Sequence, residues 1–454
     1  MFRHQTLRRK ELFACGQLLF FSLSLSAEVE IAIGEKTGFI QPLLGVNAGP
    51  IMVNREGKAV NLTLPYKKIG VQQVRTHDYY GYLDMATLYP DQKSDPVSPA
   101  SYNFEDSDQI FKAITSGGFE PYFRLGDSWN SGPNFPAPER RAPINRHNWV
   151  RAAVEVVRHY RSLTGAKLRY VEIWNEPDHK QFWDDSPYEF HLLFHETACA
   201  LKKNFPEIKV GGPGFTAAAV VLPRGNLTVT AFLDFIQRQR TPLDFISWHL
   251  YANDPVTFRQ AARFYRQELD KRGLFKTESH VTEYHTDDRR LPAGLSPIEV
   301  RAGSAGAAIL TAAWIALQAE NVSQAFVYRG IDMSMHQPNF YGLFQPDGTP
   351  KKPALAFSLW SRLAGCEKLL VKTGEQSGGL WFLAGRNSAG QILVLVANPT
   401  QEGHWWRVSF QNHPEKKRVT IEEINQSARE VIKREINLDR IFLPAYSTML
   451  ATFN

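Results

Sequence analysis

The sequence predicts an α/β chain built as a (β/α)8 TIM barrel with a small C-terminal β-sandwich, and three observations carry that prediction. Short apolar runs ending in polar residues alternate with helix-period stretches from residue 43 to residue 366. From residue 367 onwards the pattern changes to short alternating strands separated by turn residues such as Asn387, Gly390 and Pro399. The chain has 454 residues, more than the roughly 250 of a typical eight-fold barrel, which leaves material for a second domain.

Eight runs read as barrel strands: Leu43 to Asn47, Gln73 to Asp78, Glu120 to Gly126, Leu168 to Glu176, Ile208 to Gly214, Leu243 to Tyr251, Ser279 to His285 and Gln324 to Gly330. Between them, Trp149, Ala153, Val156, Val157 and Tyr160 form one apolar stripe at helical spacing, with Asn145 as a cap. Phe190, Leu193, Phe194, Ala198 and Leu201 form another. Arg301 to Glu320 is rich in Ala and Gly, as expected of a helix packed closely between neighbours. In the second domain, 367–454, the strands are Gly379 to Ala384, Gln391 to Ala397, Trp405 to Phe410, Arg418 to Glu423 and Ser447 to Thr452. The strand-like Val29 to Ile40, within the segment 28–42 that precedes the barrel, is a candidate to join the same sheet.

Residues 1–27 carry Arg3, Arg8, Arg9 and Lys10, then the apolar run Leu12 to Leu25, then small residues, and read as a secretory signal peptide. That reading places the protein outside the cytoplasm, secreted or periplasmic, with no membrane insertion after the signal is removed. Cys15 leaves with the signal, and Cys199 and Cys366 read as two buried thiols rather than a disulfide. The net charge of +6 is scattered, although residues 1–10 and the stretch Lys416 to Arg418 are locally basic. A mild positive field suits an acidic polysaccharide and equally describes a solvated surface. No basic, aromatic-interleaved stripe suggests nucleic acid, no cysteine or histidine spacing reads as a zinc site, and no cofactor is expected. Aromatic residues make up 12%, a tilt towards flat side chains that suits sugar binding.

In a parallel barrel the carboxyl ends of the strands share one face, so polar residues ending the runs converge on one cavity. They are Asn47, Arg75, His77, Asp78, Arg124, Asp127, Asn175, Glu176, His249, Tyr251, Glu283, His285 and Arg329. In Tyr170-Val171-Glu172-Ile173-Trp174-Asn175-Glu176-Pro177 the proline ends the fourth run and fixes the turn that presents Glu176. A second carboxylate, Glu283, closes the seventh run in Val281-Thr282-Glu283-Tyr284. Paired carboxylates across one pocket are the machinery of glycoside hydrolysis, and the expected partner is an oligo- or polysaccharide. The opposing reading makes each glutamate a capping or surface residue, and the alternative function is a non-catalytic carbohydrate-binding protein on a glycosidase-like barrel.

These residues resemble the clan of glycosidases whose acid/base lies in Asn-Glu-Pro on strand four and whose nucleophile ends strand seven. Within that clan the chain is most similar to glycoside hydrolase family 39, which includes β-xylosidases and α-L-iduronidases. The matching segments are Gly45-Val46-Asn47, Arg75-Thr76-His77-Asp78, Tyr170 to Pro177, Asp244 to Tyr251, Thr282-Glu283-Tyr284 and Gly348 to Ala354. The resemblance implies a retaining mechanism with Glu176 as acid/base and Glu283 as nucleophile. It also implies an accessory β-sandwich, Arg75 beside the nucleophile, and Asn175 on the sugar 2-hydroxyl. His249 and Tyr251 follow the same logic, and His77 and Asp78 are expected to grip distal hydroxyls or, for His77, to sit satisfied in the core. Arg124 stands where xylosidases of the family carry an acidic residue, and Arg329 ends strand eight. Both suit a uronate carboxylate, and both equally suit structural pairing with Asp127, Asp332 or Glu176. Trp129, Trp183, Trp248, Tyr284 and Tyr341 are candidate stacking surfaces, each also compatible with core packing.

Overall fold

The computed structural model describes residues 28–53, 58–222, 225–334, 341–373, 377–410, 418–437 and 440–454. The proposed signal peptide and the basic Lys416-Lys417 lie outside the described residues. Eight strands close into a parallel barrel: Gly45–Asn47, Gln73–Arg75, Glu120–Leu125, Tyr170–Ile173, Lys209–Phe215, Phe245–Tyr251, Glu278–His285 and Gln324–Val327. They are the barrel strands one to eight below. Each falls on one of the predicted runs, but several are shorter, because the polar residues after Arg75, Ile173 and Val327 have already left the sheet.

The helices form because their apolar faces have a barrel to cover. Helix Arg146–Thr164 buries Trp149, Ala153, Val156, Val157 and Tyr160, and the Asn145 side chain caps it by accepting from the Asn148 N–H at 3.1 Å. The Ala-rich segment is two helices, Pro297–Ala302 and Ser304–Ala319, broken at Gly303. The first opens with a capping box between Ser296 and Glu299. Nearly every residue of the second is buried, which its small side chains permit, because it lies between the barrel and the second domain. Among the described residues, no helix is long and apolar enough to cross a membrane.

The C-terminal domain is a nine-stranded, curled sheet that serves as the accessory sandwich. Beyond the five expected strands it contains Glu367–Thr373, Ile432–Asn437 and Ile441–Leu443. Val29–Phe39 also lies in this sheet, antiparallel to Glu367–Thr373 and parallel to His404–Phe410. Strand Ile392–Asn398 ties the domains together because its period of two feeds two cores. Val394 and Val396 pack with Trp406, Val419 and Met449 inside the sheet domain, whereas Leu393, Leu395 and Ala397 join the barrel cluster. Cys199 and Cys366 are free thiols, Cys366 buried and Cys199 only half-buried.

Candidate active site

The barrel interior is built in layers from inward-facing side chains. An aromatic floor of Tyr122, Tyr170, Phe245 and Phe326 surrounds His280, whose Nδ1 lies 2.9 Å from the Tyr122 hydroxyl oxygen. Above it lies a buried charge cluster centred on Arg75. Its Nε donates to Glu172 at 2.7 Å, Nη1 to Glu283 at 2.8 Å and to Asn47 at 3.0 Å, and Nη2 to Asn175 at 2.5 Å. One guanidinium therefore fixes residues from strands one, four and seven. Removing one member of a buried pair of this kind typically costs about 3–5 kcal/mol, because the remaining charge is left uncompensated.

Two β-bulges aim the next layer. On strand six, Phe245, Ser247, His249 and Tyr251 share the inward face. Strand seven pairs with it in regular register as far as Val281 opposite Trp248, then skips so that Glu283 stands opposite His249. Without the extra residue, strict alternation from the inward His280 would turn Glu283 outward. A matching irregularity at Gly214 on strand five, with Pro213 opposite Ser247 and Phe215 opposite Trp248, flanks the same strand. Gly214 has a φ of +67° and a Cβ there would approach His249 Nε2 to 3.0 Å, so both backbone and space favour glycine.

Glu176 is carried by a strained turn, with Trp174 at φ 75° and Glu176 at φ 47° in the left-handed region. The turn is held by Trp174 N–H to Leu125 O at 2.7 Å, Glu176 N–H to Gly214 O at 3.0 Å and the Trp174 indole N–H to Phe182 O at 3.2 Å. Glu176 Oε1 then lies 2.7 Å from His249 Nδ1, and the Tyr251 hydroxyl donates to Glu283 Oε2 at 2.8 Å. One carboxylate oxygen of Glu176, one of Glu283 and a nitrogen of His249 lie within 4.8 Å of one another.

Burial drives the acidities. It pushes Glu176 up to about 8, helped by the nearby Asp178 carboxylate and opposed by His179 and Arg75. Burial also raises Glu283, but His249 and Arg75 favour its ionised form, and the Arg75 and Tyr251 hydrogen bonds support the same state. Burial holds His249 below the ordinary imidazole value and His77 well below it. The Glu176, His249 and Glu283 trio has the spacing of a metal-ligand group. Its atoms are engaged with one another, however, and the Arg75 cation against Glu283 opposes a second cation there.

The structure therefore gathers Glu176, Glu283, Arg75, Asn175, His249 and Tyr251 into one contact network. His77 joins it, with Nε2 3.4 Å from Glu283 Oε1 and 3.5 Å from Asp78 Oδ1. Two expectations are corrected. Trp248 and Tyr284 do not reach the site, because they point into the helix layer. Trp248 is fully buried, stacks on Tyr265 and donates to Ser279 Oγ at 3.0 Å, and Tyr284 packs edge-on against Phe258. Trp183 is likewise core, against Trp174 and Phe190, whereas Trp129 is exposed and Tyr341 lines the cavity beside Glu176.

The two strand-end arginines have partners other than those expected. Arg124 Nη2 donates to Asp84 at 2.8 Å, while Arg329 Nη1 reaches Asp78 at 3.1 Å and the Tyr80 hydroxyl oxygen at 2.8 Å. Asp332 is instead paired with Lys351, and Asp127 accepts from the backbone N–H of Ala86 and Glu139. The loop after strand two carries Asp78, Tyr80 and Asp84 across the mouth and places its acids first. Among the described residues, Nε and Nη1 of Arg124 and Nε of Arg329 are buried without a hydrogen-bond partner.

Glu172 lies inside its strand and not at the end, so the strand-end pattern does not find it, although its charge at an inward position two residues after Tyr170 is a usable signal. Asp84, which also accepts from Ser128 N–H and the Ser128 and Ser131 hydroxyls, offered none, because it lies in a loop.

The family model for glycosyl hydrolases family 39 matches residues 41–336. The chain is 26% identical over 382 residues to a β-xylosidase of Geobacillus stearothermophilus, covering 75% of this chain and 70% of that protein. Among solved structures it is similar in fold to a glucosidase from Croceicoccus marinus, with a TM-score of 0.75 and 23% identity over 94% of this chain and 99% of that one. It is also similar to a monomeric β-xylosidase from Caulobacter crescentus, with a TM-score of 0.70 and 16% identity over 94% and 99% of the two chains. The strand-end residues, the closed barrel and the family match lead to one identification: this chain belongs to glycosyl hydrolases family 39 and is a glycosidase.

Proposed function

We propose that this glycosidase is exported by its leader, 1–27, and cleaves xyloside- or uronide-containing glycans with retention of anomeric configuration. Glu283 attacks the anomeric carbon while Glu176 donates its proton to the departing oxygen, forming a glycosyl-enzyme ester. Glu176, now a carboxylate, takes a proton from water, which attacks the same carbon and releases the sugar and free Glu283. Arg75 and Tyr251 favour the ionised form of Glu283 against its burial, and burial keeps Glu176 protonated near neutral pH. Asn175, held by Arg75, is placed to meet the 2-hydroxyl, a contact that strengthens as positive charge builds at the anomeric centre.

The observation that carries this reading is the approach of the Glu176 and Glu283 oxygens to within 4.8 Å. Retaining enzymes hold the two carboxyl groups about 5–5.5 Å apart, whereas inversion needs about 6.5 Å or more to seat a water. Proton NMR of the product formed in the first minutes tests it, with the substrate's own anomer expected first. An initial product of opposite configuration refutes the double displacement.

A further inference from the structure

We propose that the leaving-group side of the cleft is a binding track for an anionic glycan segment, with Arg290 as its principal cation. This inference rests on the glycosidase reading above, since it takes Glu176 as the acid that faces the departing group. A cavity of about 520 Å³ opens beside Glu176 and not beside Glu283, and Arg289, Arg290, Arg301 and Tyr341 are among its lining residues. In a double displacement the acid protonates the departing oxygen, so the side that Glu176 faces receives the leaving group.

The cavity is not a closed chamber. Through Tyr251, Arg289 and Arg290 it shares its wall with a second cavity of about 270 Å³. Through Asn253 and Asp254 that one shares its wall with a third, of about 720 Å³, where the barrel meets the sheet domain. The third is walled in part by Trp381, whose indole lies against Arg259, 4.6 Å from guanidinium carbon to ring centroid. The three cavities thus follow one another from the acid/base to the domain junction, an arrangement suited to several sugars in line rather than to one small aglycone.

The charge along this path favours an anion. Three arginines line the first cavity, and its one carboxyl group, Glu176, is neutral below about pH 8. Asp287 pairs with Arg289 at 3.0 Å and Asp288 with Arg301 at 3.0 Å. The Arg301 guanidinium is also buried over the Tyr341 ring at 3.7 Å, with its Nε lacking a hydrogen-bond partner. Asp254, in the second cavity, is engaged in capping the Val256 N–H at 2.9 Å. Among the described residues Arg290 has no carboxylate within ion-pair distance, so it is the cation left for a ligand. A planar guanidinium suits the two oxygens of a carboxylate or of a sulfate ester.

Two measurements test the track. In the first, calorimetric titration compares free tri-galacturonate, its methyl ester and a sulfated galactotriose, using the parent protein, Arg290→Ala and Arg290→Lys. The free acid is expected to bind more tightly than the uncharged ester, and Arg290→Ala to remove about three- to tenfold of that preference, as for a partly exposed charge pair. Arg290→Lys is expected to restore part of it at low salt. The sulfated sugar shows whether the track reads carboxylate alone or any anion of this class. In the second, kcat/KM is measured for an aryl glycoside with and without a carboxylate on the aryl ring, and the charged-to-neutral ratio is expected to fall by the same factor in Arg290→Ala. No preference for the free acid in the parent, or a preference unchanged in Arg290→Ala, overturns the track. Absence of hydrolysis of every glycoside would count instead against the glycosidase mechanism, which the titration does not depend on.

Discussion

Replacing Glu176 with Gln tests the central acidity directly. Burial and Asp178 push the Glu176 carboxyl up to about 8, so an enzyme that needs this proton loses kcat/KM as pH rises through that value. At one pH unit above it, about one eleventh of the molecules remain protonated, and kcat/KM is expected to fall to roughly a tenth of its plateau. In Glu176→Gln the alkaline limb should vanish. The loss at neutral pH should depend on the leaving group, small for a nitrophenolate that departs unaided and about 10²- to 10⁴-fold for a sugar alcohol that needs protonation. Azide, which needs no general base, should restore turnover of the nitrophenyl glycoside by capturing the glycosyl-enzyme. The assay is initial rate against pH for both substrate types in both proteins. Lys351 is the necessary control, because burial lowers its ammonium to about 8 beside Asp332. Lys351→Met should keep the limb. Persistence of the limb in Glu176→Gln, or equal losses on both leaving groups, would refute the assignment.

The other predictions concern the surrounding structure. Glu283→Gln should lose at least about 10³-fold in kcat, as expected when the attacking group is removed, and mass spectrometry with a slow fluoro-sugar substrate should find no adduct on that variant. The folded Glu176 carboxyl is raised from 4.5, so the native state holds the proton longer than the unfolded chain, and stability due to this group falls as pH rises from about 4.5 to about 8. Melting scans should therefore place Glu176→Gln above the parent at pH 9 and level with it at pH 4. Trp248→Phe should lower the melting temperature while leaving KM near its parent value, since the indole faces Tyr265 and not the cleft; a large KM change would return Trp248 to the site. Prolonged treatment with EDTA should leave activity intact, because Arg75 already neutralises Glu283, and loss of activity restored by a divalent metal would reverse that view.

Trp314 and Trp360 stack with ring centroids 5.5 Å apart where two helices meet behind the barrel. Neither touches the site residues described above, so Trp314→Ala, at a typical cost of about 3–5 kcal/mol, separates stability from catalysis.

Much of this protein was legible along the chain. Apolar runs ending in polar residues and 3.6-period stripes are local signals, and they located eight strands, their helices and the ends from which Glu176 and Glu283 project. The family resemblance rested on the same segments. Side-chain direction was legible only where the two-residue period is unbroken, as from Phe245 to Tyr251. Even there, Trp248 was a stacking candidate because sequence alternation does not say which parity faces the axis. On strand seven, the bulge between Val281 and Glu283 reverses the parity, and only pairing with strand six creates it. The ion pairs were hidden for a related reason: Asp78 and Asp84 meet Arg329 and Arg124 across 251 and 40 positions of chain. Pairing of that kind depends on which loop crosses the barrel mouth, a contact set by packing rather than by neighbouring residues. The same holds for Val29–Phe39, whose strand character was readable while its place between Glu367–Thr373 and His404–Phe410 was not. Sequence by itself thus determined which residues end the strands and what chemistry they own; tertiary structure decided which way they point, which charges neutralise one another, and therefore which cations remain for a ligand.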